Sequence, residues 1–556
     1  MQIKIMKDEY PKVKEKVLAI VLLVGLIAIM VSCAQTTPPP STTSAPPPPA
    51  TTAAPPVSTT TAAPPPVSTT AAAGKQHGGD LKIIYLSEIM SFDAPVNSKG
   101  PIDSILQPPI WETLLMYDKA GNYFPVLATD YNISPDGKTM TFNLRKGVKF
   151  QDGTDFNAEA VKYNLDNWQF LRQSFFGNIK SVDVIDTYTV RINLSEPDNK
   201  LLGSLCTAWG TINSPTAAKA EIAAGGNKPN IGVVGTGPFK FVDFTRGTSL
   251  STTKWNGYWQ AAEPYLDSIT YLQFTNAQTG MMSFQSGEAQ VISGLVPRDA
   301  DTLKKKGYTI QSCPAFMYVL WPSSKVASSP WSKLEVREAA EYAIDKKKIV
   351  DTFGYGFSEA QYEVAISSKP AYDPGLQPRA YDPAKAKQLL ATAGYANGFD
   401  TTIYALTTED DDILTAIQGY LKDVGIRASI KKDPVPVFMD MGAKGWDGLR
   451  YWYPGTDRDF LSTAAAFYWS SPVHTTSMDK PQQMLDAISN AITDTNRAEV
   501  DKLLKTVVDI QYNQALTIPL WTWAGITAMD KSVHDLNLNT IDLHKSWLAN
   551  IIWLSK

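Results

Sequence analysis

The sequence predicts an α/β protein of two lobes joined by two strands, with a small β-rich subdomain in the first lobe. Three observations carry that prediction. The chain has 556 residues, whereas one hydrophobic core stops growing near about 250–300 residues. Its texture is mostly short strands up to about Pro322 and alternating strand and helix beyond it. Short strand-like pieces return near the C-terminus, as expected of a chain that leaves one lobe, builds a second and comes back.

The N-terminal segment reads as addressing rather than fold. Five lysines fall within residues 1–16, and Val17 to Val31 run apolar and uncharged. Fifteen apolar residues suit the core of a secretory signal, whereas a spanning helix needs about 20. Ser32 and Cys33 follow, so Met30-Val31-Ser32-Cys33 resembles a bacterial lipoprotein cleavage site, with methionine where leucine is usual. An uncleaved anchor is the alternative; on either reading the rest is exported. From Ala34 to Ala73 the chain uses almost only Pro, Thr, Ala and Ser, with the near-repeat TTAAPPVSTT at 51–60 and TTAAPPPVSTT at 60–70. Such a segment buries no core and favours extended polyproline II, reaching up to roughly 120 Å over forty residues. A glycosylated stalk is compatible with it.

The globular body begins near Gly78. LKIIYL (81–86) alternates as a strand. Met140, Phe142 and Leu144 alternate with polar neighbours after the Ser134–Gly137 turn, and Asn157 stands ready to cap a helix carrying Val161, Leu165 and Trp168. Short strands are expected at 182–194, 248–255 and 267–275. Beyond Pro322, Ser332 and Glu335 are spaced as a capping box, and Asp382-Pro383 opens a helix that Gly394 ends. Residues 401–431 read strand, helix, strand, which implies a right-handed parallel crossover. Two long helices at about 480–512 lead into a strand at 515–525. The expected division is 1–32 signal, 33–77 lipidated cysteine and tether, 78–318 first lobe with its subdomain at about 121–204, 319–520 second lobe, and 521–556 return.

Composition narrows function by exclusion. With 51 basic and 55 acidic side chains the net charge is −4, which offers nucleic acid no attractive field. Cys33, Cys206 and Cys313 are too few for a disulfide scaffold or a four-cysteine metal site, and the four histidines are scattered. Cys206 and Cys313 either pair or remain two thiols. No cofactor and no metal are expected. No G-x-S-x-G, H-E-x-x-H, C-x-x-C or phosphate-loop pattern occurs.

Several segments together resemble the bacterial extracellular solute-binding proteins of the oligopeptide, dipeptide and nickel class. They are NLRKGVKFQDGTDFNAEAVKYNL (143–165), GTGPFKF (235–241) with WNGYW (255–259), MMSFQSGEAQV (281–291), VREAAEYAIDKKKIV (336–350), YDPAKAKQLLATAGY (381–395) and IPLWTWA (518–524). The blocks run in order over nearly all of 78–556. Gly147, Gly153 and Gly237 look like turn glycines within them, Asp345 like a local cap, and Gln151 stands where the family more often has histidine. The resemblance implies a periplasmic-binding-protein-like fold closing around a small-molecule ligand, with delivery to the permease subunits of an ABC transporter. It also implies a monomer, held at the membrane by a lipid on Cys33, with no catalysis. An exported hydrolase or a ligand-presenting sensor on the same fold remains the alternative.

The resemblance places the hinge strands at about 314–322 and 517–524, which makes Trp321, Trp521 and Trp523 cleft candidates, with burial in a core as the alternative. Peptide-binding relatives hold the ligand's amine with an aspartate in the segment matching GLRYWYPGTDRDFLSTAAAFYW (448–469). Here Tyr453 or Gly455 takes that position, and Asp457 serves only with a two-residue slip. Arg450, Tyr451, Trp452 and Tyr453 complete the candidate set and suit a planar, sugar-like or anionic group, with packing of the aromatics in the lobe interior as the alternative.

Overall fold

The computed structural model describes residues 74–87, 89, 92, 105–118, 122–171, 176–226, 228–367, 370–454, 460–469, 474–538 and 547–556. The expected signal, Cys33 and tether, apart from Gly74–His77, lie outside them.

One ten-stranded sheet runs through the molecule. Its order in space is Ile426–Asp433, Phe399–Leu406, Leu449–Trp452, Thr309–Pro322, Ile518–Met529, Val291–Ser293, Asp80–Tyr85, Ser268–Gln273, Ser249–Lys254 and Phe239–Thr245. The two long central strands pair antiparallel, with register breaks between Pro314 and Phe316 and between Tyr318 and Val319. They join the two lobes of an α/β fold. On one flank Phe399–Leu406 runs parallel to both of its neighbours; on the other, Asp80–Tyr85 does.

Local signals produce most of these elements. The parallel crossover forms as expected, through helix Asp411–Asp423, with Gly425 at a φ of 101° where a side chain would be strained. Asp382 accepts from the Lys385 amide at 2.9 Å and Asp345 from the Lys348 amide at 2.9 Å, each opening a helix. The separate four-stranded antiparallel sheet has the order Ala128–Ile133, Thr139–Leu144, Thr189–Leu194, Ile179–Asp186. Met140, Phe142 and Leu144 point into its core, where Val161 and Leu165 of helix Ala158–Leu171 meet them.

Two local expectations fail. The capping box at Ser332 does not form, because Pro330–Ser332 is already a tight turn; the Ser332 hydroxyl donates to the Ser329 carbonyl at 2.8 Å. Gly237 is not a positive-φ turn residue. A Cβ there would lie 2.7 Å from the Ile110 and Pro109 backbone, so the glycine permits a close approach. Gln151 works at the same seam, donating to the carbonyls of Gly237 at 3.0 Å and Phe239 at 2.7 Å.

Candidate functional site

Ligands of open α/β sheets sit beyond the carboxyl ends of the parallel strands. Here those ends belong to Phe399–Leu406 and Leu449–Trp452, beside the two central strands, and the aromatic candidates gather there. Strand pairing opposes Trp452 to Val319, Tyr451 to Leu320 and Arg450 to Trp321. Alternate side chains leave on opposite faces, so the candidates divide between two cores.

On one face Tyr318, Tyr451, Tyr453, Trp521 and Trp523 form a continuous aromatic group. Tyr318 stacks on Tyr451 at 4.9 Å and meets Tyr453, Trp521 and Trp523 at 5.3, 5.7 and 5.7 Å. Tyr451 and Trp521 are buried, whereas Tyr453 and Trp523 stay partly exposed. Burial raises the phenols of Tyr318 and Tyr451 well above their ordinary range, so both are neutral donors. Burial pushes the carboxyl of Glu409 up to about 7, against the opposing influence of the Tyr318 phenol and of Lys432. Beside Trp521 and Trp523 lies a groove open to solvent, lined also by Pro297, Ile349, Val350, Phe353 and Ile413, among others. Pro297 follows the Val291–Ser293 strand of one lobe, and Ile413 lies on helix Asp411–Asp423 of the other.

On the opposite face Trp321 and Arg450 are wholly enclosed. The guanidinium lies 4.1 Å from the Phe438 ring centroid and 5.3 Å from that of Trp452. It donates to the carbonyls of His474 at 2.6 Å and Phe438 at 3.1 Å. Among the described residues no carboxylate pairs with it. Burial lowers its pKa to about 9, and burial together with its charge lowers His474 to about 4. Trp452 is partly exposed and lies flat against Tyr453, centroids 4.9 Å apart.

Of the sequence candidates, the structure therefore brings Tyr451, Tyr453, Trp521 and Trp523 to the groove side and Trp321, Arg450 and Trp452 to the other core. Asp457 and Gly455 lie outside the described residues, as does Cys33. Cys206 is buried and Cys313 partly buried, and no disulfide joins them. No group of three or more potential metal ligands occurs among the described residues, and no helix among them is long and apolar enough to cross a membrane. Sequence reasoning missed Tyr318, Phe316, whose ring centroid lies 5.3 Å from that of Tyr453, and Glu409. The first two stood inside the expected hinge strand, so its non-tryptophan aromatics were a usable signal; Glu409 offered none beyond its place before a helix.

Comparison with known proteins agrees with this architecture. The family model described as bacterial extracellular solute-binding proteins, family 5 Middle, matches residues 122–471. The glutathione-binding protein GsiB of Shigella flexneri is 31% identical over 457 residues, covering 79% of this chain and 88% of the relative. The periplasmic binding protein DppA from Helicobacter pylori, solved in complex with the peptide STSA, superposes with a TM-score of 0.74 at 22% identity, over 86% of this chain and 99% of that one. NikA from Brucella suis, in complex with Fe(III)-EDTA, gives 0.75 at 23% identity, over 85% and 99%.

Proposed function

The chain belongs to the bacterial extracellular solute-binding proteins of family 5, and from that premise we propose that it captures a small, peptide-like solute against the rings flanking its central strands. Capture of a solute outside the cytoplasm, and its delivery to an ABC transporter, follow from the family. The finer reading concerns the site, the ligand and the anchor. One observation carries it: the Trp521–Trp523 groove lies where the Ile518–Met529 strand meets Pro297, from the first expected lobe, and Ile413, from the second. A solute seated there touches both lobes, so its binding energy favours the closed arrangement.

Within that site Tyr318, Tyr453 and Trp523 are the contact residues and Trp452 flanks them. Trp321, Arg450 and Tyr451 act as positioning residues behind the surface, while Trp521, mostly buried, lines the groove. Solved relatives hold ligands as different as a peptide and Fe(III)-EDTA, so the fold leaves ligand chemistry to the side chains. The peptide-like class is supported by the 31% identity to a glutathione-binding protein. Cys33 is the lipid attachment site, residues 34–77 are the tether, and the protein works as a monomer.

The deciding experiment removes residues 1–77, identifies the co-purifying solute by mass spectrometry, and measures solution scattering with and without it. The radius of gyration should fall on binding, and the solute should be recovered unchanged. A bound solute that leaves the scattering curve as it was contradicts closure, and a chemically altered solute points to an enzyme.

A further inference from the structure

Helix Gln482–Thr493 ends without a cap of its own. Its last turn carries no basic residue, and Asp494 beyond it has extended backbone instead of the left-handed turn that closes many helices. Asn199, 292 residues before Ala491, takes its terminal carbonyls instead. The side-chain Nδ2 of Asn199 donates to the carbonyls of Ala491 at 2.8 Å and Asp494 at 2.7 Å, and the backbone N–H donates to that of Ile492 at 2.9 Å. Three donated bonds thus meet the negative end of the helix.

The two partners belong to different cores. Leu201 and Leu202, just past Asn199, pack with the four-stranded sheet, whereas Met484, Ile488 and Ile492 of the helix pack with Trp321, Leu461 and Leu504. In the expected division the first core is the subdomain's and the second belongs to the second lobe. The Asn199 loop is held from its own side. Buried Asp198 accepts from Lys200 Nζ at 2.8 Å and from Asn178 Nδ2 at 3.0 Å, and the Ser195 amide donates to the Asn178 carbonyl at 2.9 Å. The loop therefore keeps its shape without the helix. The Ser134–Gly137 turn approaches the same place, since a Cβ on Gly137 would lie 2.8 Å from the Thr495 methyl just past the helix. Such a seam can part: water serves helix-end carbonyls when they are exposed, so each bond has a small net worth.

We propose that Asn199 is a closure latch: the subdomain loop caps helix Gln482–Thr493 in the closed arrangement and releases it when the lobes open. The inference rests on the closure reading. It gives the small subdomain, none of whose residues lines the groove, a part in retaining the solute.

Spin labels at Glu196→Cys and Lys502→Cys, exposed positions on either side of the seam, report its width by pulsed electron resonance in a Cys33→Ser, Cys313→Ser background. Distances are read on the chain as purified and again after unfolding and refolding strip its solute. Wild type should show mainly a short distance as purified and gain a longer one on stripping. Asn199→Ala should lower the ratio of short to long about tenfold. Asn199→Asp, which turns a carboxylate toward the same carbonyls, should lower it further. Both variants should melt like wild type once stripped. A single distance that neither stripping nor substitution changes overturns the latch, as does a long distance alone in wild type or a ratio that both substitutions leave unaltered. An equal loss of thermal midpoint in stripped and solute-bound chains makes Asn199 a permanent helix cap and overturns it as well. If the radius of gyration still falls on solute binding, the latch alone has failed. If neither the radius nor the label distance moves in any state, the closure reading has failed with it.

Discussion

Tyr318 and Trp521 face one another across the two strands that join the lobes: they are register partners, with ring centroids 5.7 Å apart. Rigid-body rotation displaces atoms least near its pivot, so this pair keeps its contact while the groove beside it opens and closes. Trp521 is buried there, and Trp523, two residues on, is partly exposed at the groove.

That difference separates two tryptophans that look alike in sequence. Trp521→Ala should cost about 3–5 kcal/mol of stability, as expected for a large core ring. Trp523→Ala should cost much less stability and weaken ligand binding by about tenfold. Chemical denaturation and calorimetry on the two variants read both quantities; equal loss of stability in each contradicts the division.

Arg450 should behave as a structural residue. Its two donated bonds satisfy the carbonyls of Phe438 and His474, and orphaning a buried acceptor costs about 1–3 kcal/mol. Arg450→Ala should therefore lower the thermal midpoint of the ligand-free protein. An unchanged midpoint with ligand binding lost would instead place the guanidinium on an anionic group of the ligand.

Acid should favour the fold through Glu112. Burial raises its carboxyl to about 7, opposed by bonds from Trp259, Thr236 and Tyr258. A raised folded pKa means that the folded state binds the proton more tightly than the unfolded chain does. The contribution is complete below the unfolded value of 4.5 and disappears as pH rises through about 7. Denaturant midpoints at pH 5 and pH 7.5 should differ less in Glu112→Gln than in wild type. An unaltered difference would assign the pH dependence elsewhere, Glu363 and Glu409 being raised to about 7 as well.

Anchoring is tested at one atom. Cys33→Ser removes the thiol to which a lipid attaches, so the variant should appear unprocessed or in the soluble fraction. A membrane-bound protein of normal processed mass would show that the apolar run at 17–31 does the anchoring.

The sequence by itself determined what depends on near neighbours. Alternation at Met140, Phe142 and Leu144, the caps at Asp345 and Asp382, and the crossover ending at Gly425 are set within a few residues, where backbone hydrogen bonds and side-chain period act. The ordered blocks from 143 to 524 carried the family in the same way. Ser332 shows the limit even locally, since a competing turn at Pro330 used the residue first.

Only the tertiary structure decided which aromatics face the groove. Alternation along the central strand puts Tyr318 and Leu320 in one core and Met317, Val319 and Trp321 in the other, but the register breaks at Pro314–Phe316 and Tyr318–Val319 decide which residues of Ile518–Met529 they meet. Glu409 owes its raised carboxyl to burial in a setting that includes Tyr318, 91 residues before it in the chain. Arg450 has its setting from Phe438, Trp452 and His474, brought together by a strand, a helix and the segment beyond them. Burial and charge are sums over neighbours in space, and a chain read along its length supplies those neighbours only once it has folded.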